Sequence, residues 1–194
     1  MNRLLVLGLV VLLASSAHAG GNPDIRIYID FDPPDYVHAV QPAQYTTVSA
    51  YVCLDQLGEG VKSIAFRTND LEDDYPGVCA AANFVVLLPG LHGITNIPWW
   101  DPGVALTSSE CMTEEPVLIG RLDFFYLGGS ACLEIRDHLE FPRWVVDCAE
   151  PVGEVDTYCV LAHGVIGDAT CAEGDCVPVP VEEGSWGTIK SLYR

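Results

Sequence analysis

Eight cysteines, Cys53, Cys79, Cys111, Cys132, Cys148, Cys159, Cys171 and Cys176, are the side chains whose type and number most constrain the chemistry of this sequence. A thiol can ligate a metal, act as a nucleophile or form a disulfide, and spacing separates the three. Zinc favours close thiolate pairs of the Cys-x2-Cys kind, and the tightest spacing here, Cys171 to Cys176, leaves four residues between. An even count in an oxidising compartment reads instead as disulfides, which also disfavours a free nucleophilic thiol. The N-terminus points to that compartment. Arg3, an apolar run over residues 4–13 and the small-x-small triplet Ala17-His18-Ala19 form the three parts of a secretory signal peptide over residues 1–19. The apolar run is half as long as the ~20 residues a membrane-spanning helix needs, so no span is expected after cleavage. Eight cysteines allow roughly 100 complete pairings. Short loops close at least entropic cost, so sequential pairing is expected: Cys53 with Cys79, Cys111 with Cys132, Cys148 with Cys159, and Cys171 with Cys176.

The remaining polar side chains announce no catalyst. There is no Gly-x-Ser-x-Gly elbow, no His-Glu-x-x-His pair and no phosphate loop. After signal cleavage the histidines are His38, His92, His138 and His163. Asp137 and His138 are neighbours on extended backbone, where side chains alternate between faces, so they form no direct dyad. A non-enzyme is expected, with a secreted hydrolase as the residual reading. Carboxylates gather at Asp30-x-Asp32-x-x-Asp35 and at Asp70, Glu72, Asp73 and Asp74. Hard oxygen ligands in loops suit Ca2+; a solvated acidic loop is the alternative, and neither segment matches a twelve-residue EF-hand loop. Adjacent Trp99 and Trp100, bracketed by Pro98 and Pro102, could stack on a sugar. The alternative is one ring in the core and one outside, since neighbours on an extended segment point opposite ways.

Charge narrows the partners. With 27 Asp+Glu against 9 Lys+Arg in 194 residues the formal charge is −18, and loss of Arg3 with the signal leaves −19. Nucleic acid and anionic membranes need clustered cations that this chain lacks. Hydrophobic residues at 49% make it too apolar for a disordered acidic tail.

The elements that must position these residues read as strands and turns. Residues 24–31 alternate, with Ile25, Ile27, Ile29 and Phe31 on one face and Arg26, Tyr28 and Asp30 on the other, which predicts a half-buried strand ended by Pro33-Pro34. Residues 45–54 and 61–68 read as a hairpin around Gly58 and Gly60, and residues 117–127 and 131–135 as a second hairpin around Gly128-Gly129. Further short strands fall at residues 83–88, 104–108, 144–146 and 158–163, and residues 69–76 read as an acidic loop. No apolar 3.6 period runs for three turns before Ser185, so helix is a minority. The expected fold is all-β: a two-sheet antiparallel sandwich, Ig-like or a jelly roll, stapled by disulfides over residues 20–176. Residues 177–184 are Pro-spaced and read as an extended linker. Residues 185–194 form a short amphipathic helix or extended tail, with Trp186, Ile189 and Tyr193 on one face, Leu192 beside them, and Lys190 and Arg194 near its end.

Two resemblances follow from these residues. Val61-Lys62-Ser63-Ile64-Ala65-Phe66-Arg67 together with Val117-Leu118-Ile119-Gly120-Arg121-Leu122-Asp123-Phe124-Phe125 resembles the cohesin-type bacterial β-sandwich. That likeness implies a jelly roll with a binding or assembly role; no dockerin-contact residue carries over, and the cysteines exceed those of a typical cohesin. The segment Ser185-Trp186-Gly187-Thr188-Ile189-Lys190-Ser191-Leu192-Tyr193-Arg194 resembles tails of other secreted environmental-bacterial proteins. The resemblance implies a sorting or docking tag recognised through Trp186, Ile189, Leu192 and Tyr193; packing back on its own sandwich is the alternative. The combined expectation is a secreted or cell-surface, non-catalytic module whose partner is an extracellular protein or polysaccharide. Its rivals are a carbohydrate-binding module using Trp99 and Trp100, and a polymer subunit that self-associates through an unpaired strand at residues 24–31.

Overall fold

The computed structural model describes residues 25–58, 60–88, 99–148, 154–155 and 158–176, with backbone pairing alone for 154–155. The signal segment 1–19, the linker 177–184 and the segment 185–194 lie outside these residues. The chain is all-β. β1 (Arg26–Asp30), β3 (Thr46–Asp55), β5 (Cys79–Val86), β7 (Val117–Tyr126) and β12 (Cys159–Ala162) form one sheet in the order β12-β1-β3-β7-β5. β4 (Val61–Thr68), β6 (Val104–Met112), β10 (Val145–Asp147) and β11 (Glu154–Val155) form a second in the order β11-β10-β4-β6, with β9 (Ile135–Arg136) pairing the end of β4. A third, small sheet of β2 (Ala39–Val40), β13 (Gly164–Ile166) and β8 (Ala131–Leu133) runs in the order β2-β13-β8. β1 with β12 and β2 with β13 are parallel pairs, and the other pairs are antiparallel.

The core lies between the two large sheets because alternate residues of each strand face inward. Ile25, Ile27 and Ile29 join Val52, Leu54 and Leu122 from the first sheet, and Ile64, Phe66, Leu106 and Val145 from the second, all buried. An aromatic series fills one end, with Phe66, Phe84 and Trp99 at centroid spacings of 6.3 and 6.1 Å.

Alternation along a strand identifies the strand but not its neighbour, and three expectations are corrected on that account. β3 and β4 are not a hairpin: β3 pairs with β1 and β7 while β4 pairs with β6 and β10, so the link at 56–60 crosses from one sheet to the other. β7 and β8 likewise belong to different sheets, and Gly128-Gly129 turns the chain between them. β1 is neither half-buried nor an edge. It lies between β12 and β3, and its second face is covered as well, with Tyr28 and Asp30 fully buried. The polymerisation route through residues 24–31 therefore has no free edge to use. β12, the actual edge, is shielded by the chain that follows: Cys176 N–H donates to Val160 O at 3.2 Å, and Gly174 lies so close that a Cβ would meet the carbonyl oxygens of Val160 and Leu161 at 2.3 Å. At the opposite edge β5 is bulged, and Ala82 N–H donates to the Glu72 carboxylate at 2.8 Å.

The disulfides differ from sequential pairing. Cys111–Cys148, Cys132–Cys171 and Cys159–Cys176 are bonded, while Cys53 and Cys79 are free and buried. Loop entropy favours close neighbours in sequence, but the folded geometry decides. Cys53 sits opposite Leu118 and Cys79 opposite Tyr126, at the two ends of β7 and roughly 27 Å apart at ~3.4 Å per residue. Closing loops of 37, 39 and 17 residues contributes about 4, 4 and 3 kcal/mol in the chain-entropy picture.

Candidate functional site

The acidic segment at 69–76 folds as a single helical turn, α1 (Leu71–Asp74), rather than a loop. Asp70 is its N-cap, accepting from Glu72 N–H at 3.0 Å and Asp73 N–H at 3.4 Å. Glu72 caps the bulge of β5, and Asp74 pairs with Arg136 at 3.5 Å. These carboxylates face different neighbours. Among the described residues no three His, Cys, Asp or Glu side chains converge as a metal site. Asp30 is equally committed: its two oxygens accept backbone N–H groups from Asp32, Tyr36 and Val37 at 2.9–3.0 Å.

Those three bonds fold residues 31–38 back over the outer face of β1 and β3. Beneath lie Tyr28, Cys53 and Asp55, with Tyr36 stacked on Tyr28 at 5.1 Å and its hydroxyl donating to Asp55 at 3.1 Å. Arg26, directly across from Asp55 in the register, makes a two-pronged pair with it at 2.9 and 3.1 Å. His38 donates from Nδ1 to Ile29 O at 2.6 Å and closes the flap. Burial pushes the Cys53 thiol up to about 12, with Asp30 and Asp55 adding to it, and pushes Cys79 up to about 11, so neither is a nucleophile at neutral pH. Beside the flap a cleft of about 450 Å³ is lined by Phe31, Val40, Thr47 and Tyr51. Of its polar lining, Ser49 is engaged internally, donating to Asp123 at 2.6 Å, the carboxylate that also pairs with Arg121 at 2.9 Å.

His138 and His163, unlike His38, are acceptors of backbone N–H groups. His138 Nδ1 receives Glu140 N–H at 3.1 Å and Phe141 N–H at 3.2 Å, and His163 Nδ1 receives Ile135 N–H at 3.1 Å. Both pKa values are lowered, chiefly by burial, which keeps the rings neutral. Asp137 points elsewhere, to Arg143 at 2.9 Å, so the Asp137-His138 neighbours form no dyad.

Trp99 is 6% exposed and belongs to the core, while Trp100 is half-buried and packs edge-on against it at 4.4 Å. The turn they begin leads to a surface the sequence reading passed over. Leu139 N–H donates to Pro102 O at 3.1 Å, tying the 99–103 turn to the loop 137–144. That loop holds Leu139 at 56% and Phe141 at 44% exposure, with Trp144 packed against Phe141 at 6.0 Å. His138 props its first turn and Arg143 anchors its far end to Asp137 and Asp175. The signal was present in the sequence as His138-Leu139-Glu140-Phe141-Pro142, two large apolar residues separated by a charge and followed at once by a proline, which disfavours a central strand.

No protein-family model and no curated protein matches this chain. Among solved structures it is similar to CaCohA2 from Clostridium acetobutylicum in solution, with a TM-score of 0.46, 13% identity, and 79% of this chain and 96% of that chain covered. It is also similar to a chain in the crystal structure of a complex between a CaDoc0917 variant and CaCohA2, with a TM-score of 0.45, 14% identity, and coverage of 73% and 97%. At these identities the likeness assigns no residue and no partner to this chain.

Proposed function

We propose that this chain is an exported, cohesin-like, non-catalytic module that binds another protein through the apolar surface of Leu139 and Phe141 beside the Trp100 turn. The observation that carries the reading is the contrast in commitment of side chains. His38, His138 and His163 and the carboxylates of Asp30, Asp55, Asp70, Glu72, Asp74 and Asp137 are engaged by backbone groups or ion pairs, whereas two large apolar side chains in one anchored loop stand in solvent. Anchored, exposed apolar side chains flanked by aromatic rings are the anatomy of a protein contact rather than of a catalytic cleft. Three disulfides support an oxidising destination, in keeping with the signal peptide read at residues 1–19. The sequence likeness to the cohesin-type sandwich at residues 61–67 and 117–125 agrees with a binding or assembly role.

Site-specific photo-crosslinking tests this. Benzoylphenylalanine in place of Phe141 is expected to capture a discrete extracellular protein in secreted material of the producing cells, while the same group at Tyr45, 65% exposed on another face, captures none. Equal labelling at both positions, or none at Phe141, would overturn the assignment.

A further inference from the structure

The same surface lies where the described chain departs, and this inference rests on reading it as a contact site. Asp175 is the hinge. One of its carboxylate oxygens accepts Val160 N–H at 2.7 Å, and the other pairs with the Arg143 guanidinium, two residues from Phe141 in the exposed loop. Cys176, next in sequence, is fixed to β12 through Cys159. The chain that follows therefore starts beside the loop that presents Leu139 and Phe141.

We propose that residues 185–194 of this chain cover the Leu139–Phe141 surface in cis. Reach is sufficient: residues 177–184, with Pro178 and Pro180, span about 25 Å at ~3.1 Å per residue. A linker of this length holds its end at an effective concentration on the order of 1 mM, so even a weak contact forms within the molecule. Chemistry matches on both counts. The segment carries Trp186, Ile189, Leu192 and Tyr193 with Lys190 and Arg194 and no acid. The surface offers Leu139 and Phe141, with exposed Asp101 and Glu140 in the same turn and loop. A ten-residue amphipathic segment needs such a platform to order. Its docking makes the surface conditional, since an external protein must displace the segment.

Paramagnetic relaxation tests the occupant. A nitroxide on Thr188→Cys in the otherwise intact exported chain labels selectively, because Cys53 and Cys79 are buried. Broadening of amides 138–144 but not of 45–48 is expected, with at least a several-fold loss of that broadening in Trp186→Ala or in Leu139→Glu with Phe141→Glu. Mixing nitrogen-15 chain without label and labelled chain without nitrogen-15 is expected to give no broadening. Broadening in the mixture would assign the segment to a second copy and overturn the cis arrangement, as would absence of broadening in the singly labelled chain. The binding role fails separately. With Trp186→Ala, the photo-crosslinker at position 141 is expected to capture several-fold more external partner. Intramolecular adducts in the wild-type background with no external capture in Trp186→Ala would keep the cis contact and sink the binding role. Unchanged external capture would sink the competition between segment and partner.

Discussion

Two surfaces lie outside the space between the large sheets, and the chain treats them oppositely. The outer face of β1 and β3 carries Arg26, Tyr28, Asp30, Cys53 and Asp55, a mostly polar set that burial penalises, yet residues 31–38 cover it. The loop 137–144 carries Leu139 and Phe141, which burial favours, yet they stand in solvent. Each arrangement is set by one side chain that collects backbone N–H groups. Asp30 collects three and folds its loop down; His138 collects two and props its loop up. The difference teaches that the buried carboxylates of Asp30 and Asp55 are structural, each held by named bonds, while exposed apolarity is the uncommitted resource.

The largest effect is expected on the closed side. Arg26→Ala leaves the Asp55 carboxylate, 2% exposed, without its two-pronged partner. Removing one member of a buried pair costs about 3–5 kcal/mol, so urea unfolding should lose that much stability. A loss under about 1 kcal/mol would mean that the face is wetter than its burial indicates and would erase the contrast. Next in size, Asp30→Ala removes the acceptor of three backbone N–H groups and should cost at least about 1.5–3 kcal/mol, the value of one charge-assisted bond. It should also free the flap. With its thiol pushed up to about 12, native Cys53 is ionised to about one part in ten thousand at pH 8, so thiol labelling of the folded wild type is slow. Faster labelling in Asp30→Ala is the expected signature of opening, and an unchanged rate would show that other bonds hold the flap.

The open side is expected to answer to pH. Burial, with Arg67 nearby, lowers the His138 pKa and outweighs the Glu140 carboxylate. A folded value below the unfolded ~6.5 means that the unfolded state takes up a proton first. The contribution is therefore fully present above about pH 6.5 and is lost as pH falls through the folded value. Thermal unfolding should show Tm declining from pH 7 to pH 5, with a shallower decline in His138→Gln, whose side-chain oxygen can still accept. His163 is lowered by burial too and leaves a residual slope. Identical slopes in the two proteins would remove His138 as the pin of the loop.

The contrast explains what was legible in the sequence. Strand identity was open to reading because alternation such as Ile25, Ile27, Ile29 reports which face is apolar. Strand partners were not, because β3 and β4 share that alternation whether paired or in separate sheets. Disulfides failed for the same reason: eight cysteines fix a compartment, while pairing depends on which strand ends meet. Trp99 and Trp100 divided into a core ring and a half-buried one, although the pair begins a turn rather than lying on a strand. The 137–144 loop escaped notice because its position depends on His138 and Arg143 finding partners across the fold, Arg143 with Asp175 among them.

The smallest effect is the one that separates an open surface from a core. Phe141→Ser removes a ring that is 44% exposed, and away from the core such changes stay within about 0.5 kcal/mol. That value is expected in a Trp186→Ala background, where the segment 185–194 lacks its largest apolar side chain. In the otherwise wild-type chain the same substitution should cost more, because residues in contact couple by about 0.5–3 kcal/mol in a double-mutant cycle. The four proteins of that cycle, unfolded in urea at one pH, give the coupling directly. A zero coupling with a small single effect leaves the surface free for an external partner alone. A cost of several kcal/mol in both backgrounds would make Phe141 a core residue and remove the distinction between the covered and the open side.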